Sequence, residues 1–151
     1  MPNLFPAGVD ENMVQADTDS DEVKFGRSWK FDFNKGEFVT SPVGKVQEAD
    51  PLEAWVEWCK KAINTARYRY LIYSEDHGQE FHDLISLHLT REANESEIQR
   101  MITECLMVNP RTARVENFIF HWEKDTVRFS FDIYNVLDEN VRIEDSVVNL
   151  I

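Results

Sequence analysis

Two pairs of neighbouring carboxylates raise the question of catalysis: Glu75 with Asp76, and Glu80 with Asp83. A glycosidase needs two carboxyl groups facing each other across a sugar-binding cleft, about 5–9 Å apart. Adjacency in sequence does not impose that geometry, and a chain with 28 acidic residues sets carboxylates side by side through composition alone. Solvated charge is the expected role, and a peptidoglycan glycan hydrolase using Glu75 or Glu80 is the alternative. His77, His82 and His88 lie among these acids. Their spacing misses the interval of four that puts two imidazoles on one helical face, so no metal is expected. Cys59 and Cys105 are too isolated for a disulfide scaffold or a zinc site. Each falls on an apolar helical stripe, where a free thiol acts as a small core hydrophobe. With no G-x-S-x-G elbow, phosphate loop or dinucleotide fingerprint, neither enzyme activity nor a cofactor is expected.

The elements that would position these groups can be read from periodicity. Trp29, Phe31 and Phe33 alternate with Lys30 and Asp32, the pattern of a strand with one buried face. Asn34-Lys35-Gly36 supplies a turn, residues 37–40 return as a partner strand, and Ser41-Pro42 ends the pairing. Asp50-Pro51-Leu52-Glu53 combines a cap, a first-turn proline and a reciprocal carboxylate, and so starts a helix. Leu52, Trp55, Val56, Cys59 and Ile63 form its apolar stripe, with Trp58 off to one side. Residues 68–73 are dense in β-favouring side chains and predict a brief strand or extended link. Residues 74–78 form a polar loop. A short helix follows, with Phe81, Leu84, Ile85 and His88 on one side. Asn94 with Glu97 predicts the cap of a helix of about three turns that ends at Pro110.

The last third is strand-like. Val115, Phe118, Phe120 and Trp122 lead to a polar tip at residues 123–125. On the return, Val127, Phe129, Phe131 and Ile133 point one way and Arg128, Ser130, Asp132 and Tyr134 the other, the clearest alternation in the chain. A turn at residues 138–140 leads to a last strand over residues 141–151. Its alternation fails at Val147-Val148, where apolar residues are adjacent; a strand with two apolar faces wants cover on both sides. This order of elements predicts an α+β fold, a mainly antiparallel sheet packed against two to three helices.

Of 151 residues, 16 are basic and 28 acidic, a net charge of −12. Such a surface repels phosphate backbones and anionic lipid, so neither nucleic acid nor membrane is an expected partner. No apolar run is long enough for a transmembrane helix, and residues 1–10 lack the pattern of a signal peptide. Residues 10–22 carry six carboxylates and no Lys or Arg, with little apolar surface to offset their ordering. The expected organisation is an acidic extended arm over residues 1–25, with Leu4, Phe5 and Val9 as possible anchors on a neighbour, and a single α+β domain over residues 26–151.

The run Phe31-Asp32-Phe33-Asn34-Lys35-Gly36-Glu37-Phe38-Val39-Thr40, followed by Gly44-Lys45-Val46, resembles the amino-terminal part of the tail proteins of PBSX-type prophages. The resemblance continues through Arg67-Tyr68-Arg69-Tyr70-Leu71-Ile72-Tyr73-Ser74, His77-Gly78-Gln79-Glu80-Phe81 and Asn109-Pro110-Arg111. It ends in Val115-Glu116-Asn117-Phe118 and residues 125–131. Those proteins are similar to the wider baseplate wedge, or sheath-initiator, family of contractile-tailed phages. The resemblance implies a fold like the interlocking domain of the sheath and about six copies around a baseplate. It also implies contacts with other baseplate wedge proteins and the tail sheath protein, with hub or spike proteins as further candidates. The protein would be made in the bacterial host cytoplasm and reside in the baseplate of a phage, a defective prophage or a bacteriocin-like device. The family has carried a lysozyme-like label, but no residue here carries an activity over.

The family's Glu-Pro-Arg triplet, implicated in contacts with the wedge core, matches Asn109-Pro110-Arg111, where Asn109 departs from the pattern. The resemblance thus implies Asn109, Pro110 and Arg111 as a partner-binding corner, with Arg111 offering a forked donor. Strand sharing with the sheath falls to the last strand, at Val141, Arg142, Ile143, Val147 and Val148. An unpaired sheet edge there would expose amide and carbonyl groups that an incoming strand satisfies.

Overall fold

The computed structural model describes residues 22–150. Most of the expected arm, with Leu4, Phe5 and Val9, lies outside the described residues, as does Ile151. Among the described residues, four two-residue strands come first: β1 (Ser28–Trp29), β2 (Phe31–Asp32), β3 (Glu37–Phe38) and β4 (Glu48–Ala49). Three helices follow, α1 (Pro51–Ile63), α2 (Phe81–Leu87) and α3 (Arg91–Met107). Three long strands close the fold, β5 (Thr112–Glu123), β6 (Thr126–Asn135) and β7 (Asn140–Asn149). Among the described residues the three sheets are antiparallel, and the largest has the order β5-β6-β7. The α+β expectation holds.

Helix α1 starts where its cap pattern puts it. Asp50 accepts from the Glu53 amide at 2.8 Å, and Glu53 accepts from the Asp50 amide at 3.1 Å. This capping box satisfies two of the otherwise unpaired donors of the first turn. Trp55, Cys59 and Ile63 are buried, while Leu52, Val56 and Trp58 pack against the core from partly exposed positions.

Helix α3 corrects the expectation. Its cap is Thr90, whose hydroxyl accepts from the Ala93 amide at 3.3 Å, so the helix runs 17 residues. Asn94 is buried inside it and donates to the Leu89 carbonyl at 3.2 Å. The added turn has a contact outside the helix, where the Arg91 guanidinium lies 5.2 Å from the Trp122 ring; one residue beyond that turn, the Trp122 indole donates to Glu95 at 2.7 Å. His88 is not on the apolar side of α2 but terminates that helix in a left-handed conformation, exposed to solvent.

Strand β6 lies in the middle of its sheet. Val127, Phe129, Phe131 and Ile133 are buried against Trp55, Cys59, Ile98, Ile102, Cys105 and Leu106. One apolar face of the sheet and the inner stripes of the helices therefore make a common core.

The expected amino-terminal hairpin forms, but it is shorter and Trp29 leaves it. Phe31 pairs with Phe38 across the turn that contains Gly36 (φ 72°), but Ser28 and Trp29 pair with Ala49 and Glu48 instead. Trp29 and Phe38 stay half exposed, because these short pairs form a strap beside α1 and not a face of the main sheet. The strap is fastened by the Phe31 amide, which donates to the buried carboxylate of Glu57 at 2.9 Å. Residues 68–73 form turns and bends and no strand.

Candidate assembly interface

Two places hold the expected site residues. The first is the corner between α3 and β5. Asn109 is buried, its amide donates to the Leu106 carbonyl at 3.2 Å, and its carbonyl accepts from the Thr112 amide at 3.0 Å. Its side-chain oxygen accepts from the Arg111 amide at 2.9 Å and from Arg111 Nε at 3.2 Å. A residue that departs from the family triplet therefore orients the arginine and is itself occupied. Pro110 is exposed at the turn and has no amide hydrogen with which to continue α3.

Beneath the corner, Thr112 is buried and its hydroxyl accepts from the Trp55 indole at 3.0 Å. Beside it, the Arg111 carbonyl accepts from the Val136 amide at 3.0 Å, which ties the corner to the turn between β6 and β7. The Arg111 guanidinium lies 5.9 Å from the Phe25 ring. Burial pulls its pKa below the ordinary value, with nearby Cys59 acting the other way. Among the described residues, its terminal nitrogens have no hydrogen bond or ion pair. The group is partly desolvated, held by Nε and open at its fork.

The second place is β7, which pairs on one side with β6 and forms an edge of the sheet. A register shift at Glu144-Asp145, with Asp145 at φ 56°, inserts an extra residue opposite β6. Such a bulge reverses the parity of inward and outward side chains. Ile143 is buried before it and Val148 after it, while Val147 is 48% exposed. The adjacent apolar pair is thus resolved into one inward and one outward residue. Val148 packs into the chain's own core, so covering both apolar faces from outside is unnecessary.

Backbone polarity along β7 follows from the flanking bonds. Leu150 donates to the Asp125 carbonyl at 2.9 Å, and Asn135 donates to the Glu139 carbonyl at 3.0 Å. Antiparallel bonding alternates residue by residue. Continuing each register points the Val147 and Arg142 main-chain groups away from β6, toward the open edge. The Arg142 side chain turns back over the sheet, donating to Asp132 at 2.8 Å and Ser130 at 2.9 Å. A cleft of about 440 Å³ runs beside this edge, between residues 143–147 and the strap and helix residues Phe33, Lys60 and Asn64.

The carboxylates considered for catalysis do not come together in a cleft. Glu80 pairs with Arg67 at 3.6 Å, while Glu75 and Asp76 are exposed on a loop. His77 stacks on Tyr73 at 4.4 Å and meets the edge of Trp58 at 5.7 Å. Among the described residues, no group of three or more His, Cys, Asp or Glu is placed to hold a metal. Both thiols are buried, and desolvation pushes Cys59 up to about 12 and Cys105 up to about 11.

Two features escaped sequence reading. Residues 67–79 form a loop pinned at its base by Arg67 and Gln79, which exposes Leu71 and Ile72 almost completely. A cleft also opens beside Arg111, where Lys24, Arg27 and Lys61 converge. Both depend on chain segments that meet only in the fold.

The contractile injection system sheath initiator family model matches residues 27–139. The chain belongs to the contractile injection system sheath initiators. The match includes the Asn109-Pro110-Arg111 corner and stops just before β7. This sheath initiator is 29% identical over 116 residues to the phage-like element PBSX protein XkdS of Bacillus subtilis strain 168, covering 76% of this chain and 78% of that protein. Its fold is similar to a chain in the six-fold symmetrised cryo-EM structure of the anti-feeding prophage baseplate. That likeness has a TM-score of 0.50 at 17% identity and covers 83% of this chain and 86% of the other. No described helix is long and apolar enough to cross a membrane.

Proposed function

We propose that this sheath initiator is a structural, non-enzymatic subunit of the baseplate of a contractile phage tail or phage-tail-like particle. It joins the wedge to the first sheath ring in about six copies, in keeping with the six-fold symmetry of the baseplate that contains its structural relative. The Arg111 corner faces wedge proteins, and the β7 edge templates the sheath by accepting one of its strands. Hub or spike proteins are further candidate neighbours.

The observation that carries this reading is the open β7 edge in a chain of the sheath-initiator family. Main-chain groups on an edge bind an extended segment of almost any sequence, so one surface can seed a repeating polymer. The test is Val147→Pro. Proline removes the outward amide hydrogen and is tolerated on edge strands where that amide faces solvent. The variant is expected to fold and enter baseplates normally but to support no sheath growth. Normal sheaths on such baseplates would exclude Val147 as part of the template.

A further inference from the structure

Lys24, Arg27, Lys61 and Arg111 line one cleft of about 380 Å³, with Trp58 as its aromatic wall and no carboxylate in its lining. In a chain of net charge −12, such a concentration of cations needs an explanation. Among the described residues, Lys24, Lys61 and Arg111 form no ion pair, and Arg27 reaches Glu48 only at 3.9 Å with both side chains well exposed. Two of the cations are held in place by rings: Lys61 lies 5.9 Å from Phe31, and Arg111 lies 5.9 Å from Phe25. The site is therefore electropositive and partly preorganised, with three of its four cations unpaired among the described residues.

The matching counter-charge is in the same chain. Residues 10–22 contain Asp10, Glu11, Asp17, Asp19, Asp21 and Glu22 and no Lys or Arg, and they run directly into Lys24 on the cleft wall. Asp17 is seven positions before Lys24, a reach of at most about 25 Å of extended chain. A short tether of this kind holds its charges at an effective concentration on the order of millimolar. We propose that the cleft is a binding surface for an acidic segment, and that its occupant in the free chain is the chain's own residues 10–22. Occupancy is a matter of charge and tether and does not depend on the assembly role proposed above. If Arg111 also contacts the wedge, the wedge displaces the segment, a consequence that does rest on that role.

The test uses the full chain with a nitroxide on Ser20→Cys, which keeps every carboxylate. Cys59 and Cys105 are buried thiols and stay unlabelled near neutral pH. Paramagnetic broadening is read at the backbone amides of Lys61 and Arg111. Strong broadening is expected at low salt. It should fall several-fold in about 1 M salt, where the Debye length is about 3 Å, and again in Lys61→Glu. Broadening that ignores both salt and Lys61→Glu, or stays within the residues next to the label, would overturn the proposal. Broadening seen only between labelled and unlabelled chains would replace it with capture of a second copy.

Discussion

Arg111 and Arg142 both sit at candidate contact surfaces, and the fold treats them differently. Arg142 places two terminal nitrogens on Asp132 and Ser130 of the neighbouring strand, and Asp132 is further fixed by Asn117 at 2.8 Å. Arg111 gives only Nε to Asn109 and keeps its fork open beside a basic cleft. A guanidinium already satisfied within its own sheet stiffens that sheet, and a partner gains little from it. One that is oriented, partly desolvated and unpaired gains most when a carboxylate arrives. At the Arg142 end of β7, what remains available to a partner is main chain.

The sharpest way to break this contrast is Arg111→Ala. Co-purification with wedge proteins should weaken by about 2–5 kcal/mol, the usual loss when one member of a buried charged contact is removed, while the thermal midpoint hardly moves. Thr112→Val attacks the foundation of the same corner. It strands the Trp55 indole N–H in the core and should lower unfolding stability by about 1–3 kcal/mol in chemical denaturation. Arg142→Ala should lower stability by about 1 kcal/mol or less, because its ion pair is partly solvated, and should leave wedge binding unchanged. The smallest effect belongs to Asp145→Gly. Glycine adopts the left-handed bulge conformation without strain, so stability should change by no more than about 1 kcal/mol, with sheath growth intact.

How much of this was legible varied with how local the cause was. Strand β6 could be read because four buried apolar residues alternate without interruption, and α1 because Asp50, Pro51 and Glu53 fix its start within one turn. Asn94 and Glu97 imitate the same cap, but the helix begins four residues earlier, where Thr90 caps it and Arg91 meets the Trp122 ring of another element. Strand β7 was half legible: its apolar residues were visible, but the bulge that turns Val147 out and Val148 in depends on pairing with β6. In the strap the Phe31–Phe38 hairpin was legible from its turn, whereas the pairing of β1 with β4 was not. That pairing joins residues such as Ser28 and Ala49, far apart in sequence. The loop over residues 67–79 closes where Gly78 comes so near the Thr65 carbonyl that a Cβ would lie 2.6 Å from it. At the corner, Asn109 and Arg111 were picked out by resemblance, whereas the orienting bond between them and the cleft beside them appear only in three dimensions.

The most direct measurement is a reconstruction of the particle with its first sheath ring, resolved well enough to trace main chain beside β7. A sheath strand is expected about 4.8 Å from β7, bonded through the Val147 and Arg142 main-chain groups, with β6 still on the other side. A sheath strand seated on the β5 edge, or a β7 edge left open against solvent in the assembled particle, would contradict the account.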